Sequence, residues 1–129
     1  MLFSVGCDVE EIDRFVKKSQ DRFFLDRIYT EIEQKYCLEK AHPEKHLAVR
    51  FCAKEAVVKA LCGLNIKDVD YKLIEIENLE DGYPLVRVFD KRCENVQIKI
   101  SLSHCKSVAC ANALAVIEKK GNAKNGYVG

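Results

Sequence analysis

RFCAKEAVVKAL, residues 50–61, holds four charges, Arg50, Lys54, Glu55 and Lys59, among side chains that are nearly all small or apolar. A helix that is apolar almost all round is one the rest of the molecule surrounds. The helix starts at about Pro43, which restricts the residue before it. It runs to Leu61, with Gly63 just beyond as a C-cap. At about 100° per residue, Leu47, Phe51, Val58, Leu61 and Cys62 form one stripe. Lys54 falls inside that stripe and Glu55 at its edge. Glu55 and Lys59 are one i,i+4 pair, Arg50 and Lys54 another. Burying charge is costly unless it is paired or bound to an ion. Two readings therefore stand. In the structural one Glu55 and Lys59 form a helical salt bridge while Arg50 and Lys54 snorkel out. In the functional one the helix borders a site for a divalent metal and phosphates, Glu55 being a hard oxygen ligand and the lysines facing phosphate oxygens.

Upstream, LFSVGC (residues 2–7) reads as a buried strand, and DVEEIDRFVKKS as a short amphipathic helix through Val9, Ile12 and Val16. Asp8 would end the strand at a strand-to-helix junction, placed either to cap the helix or to bind a metal, and Gly6 permits a close backbone approach there. Residues 21–28 continue in helical register. Thr30 and Glu33 have capping-box spacing, which predicts a helix over 31–40. Downstream the pattern changes. KLIEIENL, the turn DGYP and LVRVFD read as strand, turn and strand. VQIKISLS alternates, with Val96, Ile98, Ile100 and Leu102 on one face. SVACANALAVIE stays open between an alanine-rich helix and a small-residue strand packed under a helix. The expected fold is α+β, an antiparallel sheet packed against the long helix. It forms a single domain over 1–118, followed by a frayed polar tail at 119–129.

The chain has 129 residues, 48% hydrophobic and 32% charged, which excludes global disorder. Its net charge of +1 gives no global case for nucleic acid, so any electrostatic partner must be met by a local patch. Seven cysteines, an odd number without a CxxC, argue against a disulfide framework and a zinc site, and for buried reduced thiols. No stretch suits a signal peptide or a membrane span, so the expected location is cytoplasmic.

Five motifs in order carry a resemblance: GCDVEEIDR, TEIE, RFCAKEAVVKAL, GYP and SLSH. From about Phe3 to Glu118 the chain resembles the holo-acyl-carrier-protein synthases, the small bacterial 4′-phosphopantetheinyl transferases. The resemblance implies an enzyme that moves the phosphopantetheine arm of coenzyme A onto a serine of apo acyl carrier protein. The other product is adenosine 3′,5′-bisphosphate, and the pathway is fatty acid synthesis. It implies the family's α+β fold and a homotrimer with sites between subunits. Asp8 and Glu55 match the family's Mg²⁺ ligands, and with Lys59 they are the implied catalytic group. Lys59 would face the phosphates, with Arg50 and Lys54 as further coenzyme A contacts or interface residues. Ser103 and His104 match a nucleotide-side contact from a neighbouring subunit, and Ser101, which shares a strand face with Ser103, is a lesser candidate. Pro84 matches a turn proline near the adenine. Tyr83 departs from the basic residue often found beside it, so one phosphate contact is lost or supplied elsewhere.

Acyl carrier proteins are acidic, so the partner surface should be basic. Arg14, Lys17 and Lys18 share a helical face, and Arg22 and Arg27 follow with Phe23 and Phe24 between them. The plain alternative is a solvated amphipathic face with core phenylalanines. Two other functions compete: the same chemistry on a polyketide-type carrier, and a basic-helix module for nucleic acid. The second leaves Asp8 and Glu55 unexplained.

Overall fold

The structure, a computed structural model, describes residues 1–118. The tail expected at 119–129 lies outside the described residues. β1 (Leu2–Glu11) passes through a 3-10 turn into α1 (Phe15–Lys18), α2 (Arg22–Ile28), α3 (Glu31–Leu38) and the long α4 (Pro43–Gly63). β2 (Ile74–Asn78), β3 (Pro84–Val88), β4 (Val96–His104) and β5 (Val108–Ile117) follow. β1, β5 and β4 make an antiparallel sheet with β5 in the centre, and β2 and β3 form a separate hairpin. The expected class holds: α+β, with an antiparallel sheet against one long helix.

β5 resolves the segment that composition left open. Ala109, Ala111, Ala113 and Ala115 are buried at alternate positions, the period of a strand. Alanine favours helix in isolation. Here the neighbours decide, because β1 and β4 each supply a complete antiparallel ladder. The short side chains let α4 lie close against the sheet. Gly6 marks the tightest approach. A Cβ there would sit 2.1 Å from the Ala56 carbonyl oxygen and 2.8 Å from the Ala60 nitrogen.

The first strand is longer than the sequence suggested. Asp8–Glu11 continue β1 as far as the Glu11–Val108 pair, and the Ile12 amide then bonds the Ser107 carbonyl at 2.9 Å. β5 offers those residues partners, so the helix begins only after Ile12. Asp8 therefore lies inside a strand and caps no helix, whereas Val9 faces outward, 64% exposed. The helix over 31–40 stops at Leu38, with its Thr30–Glu33 capping box intact. Gly63 is the last residue of α4, not a C-cap beyond it. A Cβ there would stand 2.1 Å from Ser4 Oγ, so the position is kept small by packing.

The stripe on α4 is broader than five residues. Ala48, Cys52, Ala53, Ala56, Val57 and Ala60 are buried with Leu47 and Leu61, while Cys62 is exposed. Arg50 and Lys54 do not snorkel: they are 3% and 0% exposed. Lys54 Nζ lies 2.7 Å from Glu33 Oε1 and donates to the Tyr71 carbonyl at 2.9 Å and to the Ile74 carbonyl. Glu33 in turn accepts from the Thr30 and Ile76 amides at 2.9 and 2.7 Å. One ion pair thus joins α3, α4 and the start of the β2–β3 hairpin. Removing one partner of such a buried pair costs about 3–5 kcal/mol, because the other charge is stranded. Of the cysteines, all free, Cys37, Cys52 and Cys93 are buried as expected. Cys7, Cys62 and Cys105 are exposed, lying respectively on the outer face of β1, the last turn of α4 and the β4–β5 turn.

Candidate active site

Strand alternation turns Gly6, Asp8 and Glu10 of β1 inward. The close contact at Gly6 brings Asp8 beside the last turns of α4. Lys59 Nζ donates to the Cys7 carbonyl at 2.9 Å and lies 3.4 Å from Asp8 Oδ1. The other Asp8 oxygen, Oδ2, is buried and has no hydrogen-bond partner among the described residues. Lys59 is thus committed to β1, not to a helical salt bridge with Glu55. Glu10 joins the cluster. Burial first, then the neighbouring Asp8 carboxylate, push its carboxyl up to about 7, against the pull of Arg14 and with a push from Glu55. Arg14 Nη1 lies 2.8 Å from Glu10 Oε1. Glu55 is half-buried on α4 beside Tyr71. Burial first, then the Glu55 carboxylate, hold the Tyr71 phenol above its usual range.

The chemistry of this donor set suits a hard divalent cation. An orphaned, buried carboxylate oxygen has coordination capacity to spare, and Glu55 adds a second carboxylate. Among the described residues no group of three or more His, Cys, Asp or Glu forms a ready cage. A cation held here would need further oxygens from water or a bound phosphate.

A second feature is a pocket of about 560 Å³ at the other end of α4. Its lining includes Lys45, His46, Arg50 and His104, together with Tyr36 and Pro84, and no carboxylate. Burial holds His46 below its ordinary pKa, with the positive charges of Arg50, Lys40, His104 and Lys45 adding to the effect. Such a pocket attracts anions. Of the residues singled out in the sequence, Arg50, Pro84, His104 and Ser101 line it, and Ser103 does not. Lys54 lies in neither feature, since its ammonium is spent inside the core. Tyr83 lines the pocket, with Lys99 Nζ 5.7 Å from its ring centroid.

Arg14, Lys17 and Arg22 are exposed on the helical segment after β1, and Lys18 is half-buried with its ammonium 4.7 Å from the Phe24 ring centroid. Arg22 bonds Asp26 and Gln34 at 3.2 and 2.6 Å. The two phenylalanines part company: Phe24 packs on the core, and Phe23 stands 71% exposed with Arg27 over it.

Residues 4–113 match the profile of the 4′-phosphopantetheinyl transferase superfamily. The chain belongs to that superfamily. A holo-[acyl-carrier-protein] synthase of Chlamydia muridarum is 40% identical over 123 residues, covering 90% of this chain and 96% of that protein. Among solved structures, the Bacillus anthracis holo-(acyl-carrier-protein) synthase in complex with CoA (3′,5′-ADP) aligns with a TM-score of 0.71 at 28% identity. It covers 87% of this chain and 94% of that one. The Chronobacterium ammoniagenes ACPS–CoA complex shares the fold, with a TM-score of 0.78 at 20% identity over 92% and 100% of the two chains. This phosphopantetheinyl transferase places several residues at its two features that the sequence did not flag: Glu10, Tyr36, Lys45, His46 and Tyr71. Glu10 was detectable in principle, because i and i+2 share a face once β1 is allowed to run on. Tyr36 and Tyr71 come from elements distant in sequence, and no local pattern marks them.

Proposed function

We propose that this chain transfers the 4′-phosphopantetheine arm of coenzyme A to a serine of apo acyl carrier protein, with Mg²⁺, for fatty acid synthesis in the cytoplasm. The observation that carries the reading is the Asp8 carboxylate. One oxygen is held near Lys59, the other is buried with no partner among the described residues, and the Glu55 charge acts on the neighbouring Glu10. The serine hydroxyl gives up its proton to a carboxylate or water at the acid cluster as its oxygen forms a bond to the β-phosphorus of coenzyme A. The bond from that phosphorus to the bridging oxygen breaks, and adenosine 3′,5′-bisphosphate leaves with the electron pair.

Asp8 and Glu55 would hold the Mg²⁺, which when bound neutralises charge on the diphosphate. Lys59 is half-exposed at 53% and stands beside that pair, so the ammonium that bonds the Cys7 carbonyl can turn a remaining N–H to charge growing on the leaving group. The pocket with Lys45, His46, Arg50 and His104 suits the phosphorylated adenosine, and Pro84 its base. Lys45 and Lys99 are the cations near Tyr83 that answer for the missing basic residue in the turn. Lys54 serves as a structural anchor. Arg14, Lys17, Lys18 and Arg22, with exposed Phe23, make the surface for the acidic carrier. The unit is one domain over residues 1–118, and among these residues no helix is long and apolar enough to cross a membrane.

The long helix also bears on assembly. Arg50 and Glu55 are five residues apart, so they point about 140° away from each other round α4. The two halves of the site therefore lie on different sides of one subunit, which supports completion by a neighbour in a homotrimer. The outer face of the sheet offers a seam: Phe3, Val5 and Val9 are 68%, 72% and 64% exposed, an apolar area expected at an interface.

Transfer from coenzyme A to apo acyl carrier protein, read by intact mass with and without Mg²⁺, tests the reading. The wild type should add the arm only with Mg²⁺, and Glu55→Ala should lose at least a hundredfold in rate while staying folded. No mass gain by folded wild type on fatty acid or polyketide carriers would sink it.

A further inference from the structure

Tyr36 belongs to none of the motifs, yet the basic side chains of the cationic pocket gather round it. Lys40 Nζ lies 4.3 Å and Arg50 Cζ 4.4 Å from its ring centroid. His46 meets the same ring edge-on, centroids 5.7 Å apart at 80°. The ring is itself half-buried, packed against the core, so it is a fixed platform. Arg50 is only 3% exposed. Its Nη2 donates to Asn78 Oδ1 at 2.6 Å, and its Nε has no partner among the described residues. Among the described residues no carboxylate makes an ion pair with Arg50 and none lines this pocket, although Glu33 and Glu77 line a smaller cavity that Arg50 and Tyr36 also border. A buried guanidinium with no counter-ion is costly. What holds it is an amide, and an aromatic face that attracts cations. An arginine kept in place in this way is one short of an anion.

We propose that Tyr36 is a positioning residue. Its ring fixes the Arg50 guanidinium at the pocket wall, and through Arg50 it sets the preference for a nucleotide carrying a phosphomonoester in addition to its 5′-phosphate. The proposal rests on the reading of this pocket as the nucleotide end of coenzyme A. Phenylalanine retains the ring face and should retain the effect, whereas leucine removes it.

The test compares wild type, Tyr36→Phe and Tyr36→Leu by calorimetric titration with adenosine 3′,5′-bisphosphate and with adenosine 5′-monophosphate. Tyr36→Met, which fills the space flexibly, replaces the leucine variant if that does not fold. Wild type and Tyr36→Phe should prefer the bisphosphate to the same degree. Tyr36→Leu should lose about tenfold of its bisphosphate affinity, a loss the size of one cation–ring contact, with monophosphate binding unchanged. In the transfer assay the loss should fall on KM for coenzyme A, with kcat and the KM for 3′-dephospho-coenzyme A unmoved. An unchanged affinity ratio in folded Tyr36→Leu overturns the proposal, as does an equal loss in Tyr36→Phe, which would assign the effect to the hydroxyl. Wild type that prefers the bisphosphate but transfers nothing removes the enzymatic reading and leaves the role of Tyr36 to be decided by the same titrations.

Discussion

Burial holds the proton on Cys37 more tightly than water would. It pushes the thiol from an ordinary 9.0 up to about 11, against the pull of the nearby Arg50. In the unfolded chain the proton is released near pH 9, so between about 9 and 11 the unfolded state binds fewer protons than the folded one. Stability contributed by this thiol is complete below pH 9 and is lost as pH rises through that window. Urea melts should show a decline of about 2 kcal/mol between pH 9 and 11 from this group, and Cys37→Ala should flatten the slope while lowering stability at pH 7. At this scale the sequence was only half legible. The stripe on α4 showed that Lys54 had to be paired or lifted out. Its partner Glu33 was recognisable only as a capping residue, because the second use of that carboxylate depends on how α3 docks against α4. Asp8, Glu55 and Lys59 were marked as a group by motif, whereas the way Lys59 reaches back to the Cys7 carbonyl needed the strand in place.

Among the elements, the seam between β1 and α4 sets the site. It has no large side chains to adjust. On one side stand Gly6 and the alanines of β5, on the other Ala53, Ala56 and Ala60. Gly6→Ala would drive a methyl group to 2.1 Å from the Ala56 carbonyl oxygen, and backbone cannot rotate away as a side chain can. The variant should lose about 3 kcal/mol, the upper end of overpacking costs, as read by thermal or urea melts. In whatever fraction still folds, transfer activity should fall, since Asp8 would shift relative to Lys59 and Glu55. The helices and the alternating strand β4 were legible because each carries its own period. β5 was not, because its inward residues are alanines, whose size says strand or helix only after a neighbour is chosen. The same cause hid the true end of β1: without β5 beside it, Asp8–Glu11 read as the start of a helix.

At the scale of the whole molecule, α4 separates two chemistries. The acid cluster with Lys59 looks out from one side and the cationic pocket from another, roughly 140° round the same rod. In the proposed trimer each working centre then draws on two polypeptides, and a defect in one half leaves the other half usable. Two individually inactive proteins should therefore rescue each other. Glu55→Ala spoils the acid cluster alone, and Lys45→Ala combined with His104→Ala spoils the pocket alone. Unfolded together and refolded as a one-to-one mixture, they should recover about a quarter of wild-type activity. That is the share of interfaces at which an intact cluster meets an intact pocket when subunits assort at random. Each variant refolded by itself should stay inactive, and a mixture that stays equally inactive would place both halves of the centre within one chain. Genetic complementation between two null alleles, familiar from multimeric enzymes that share their centres, would then be a property written into the rotation of a single helix.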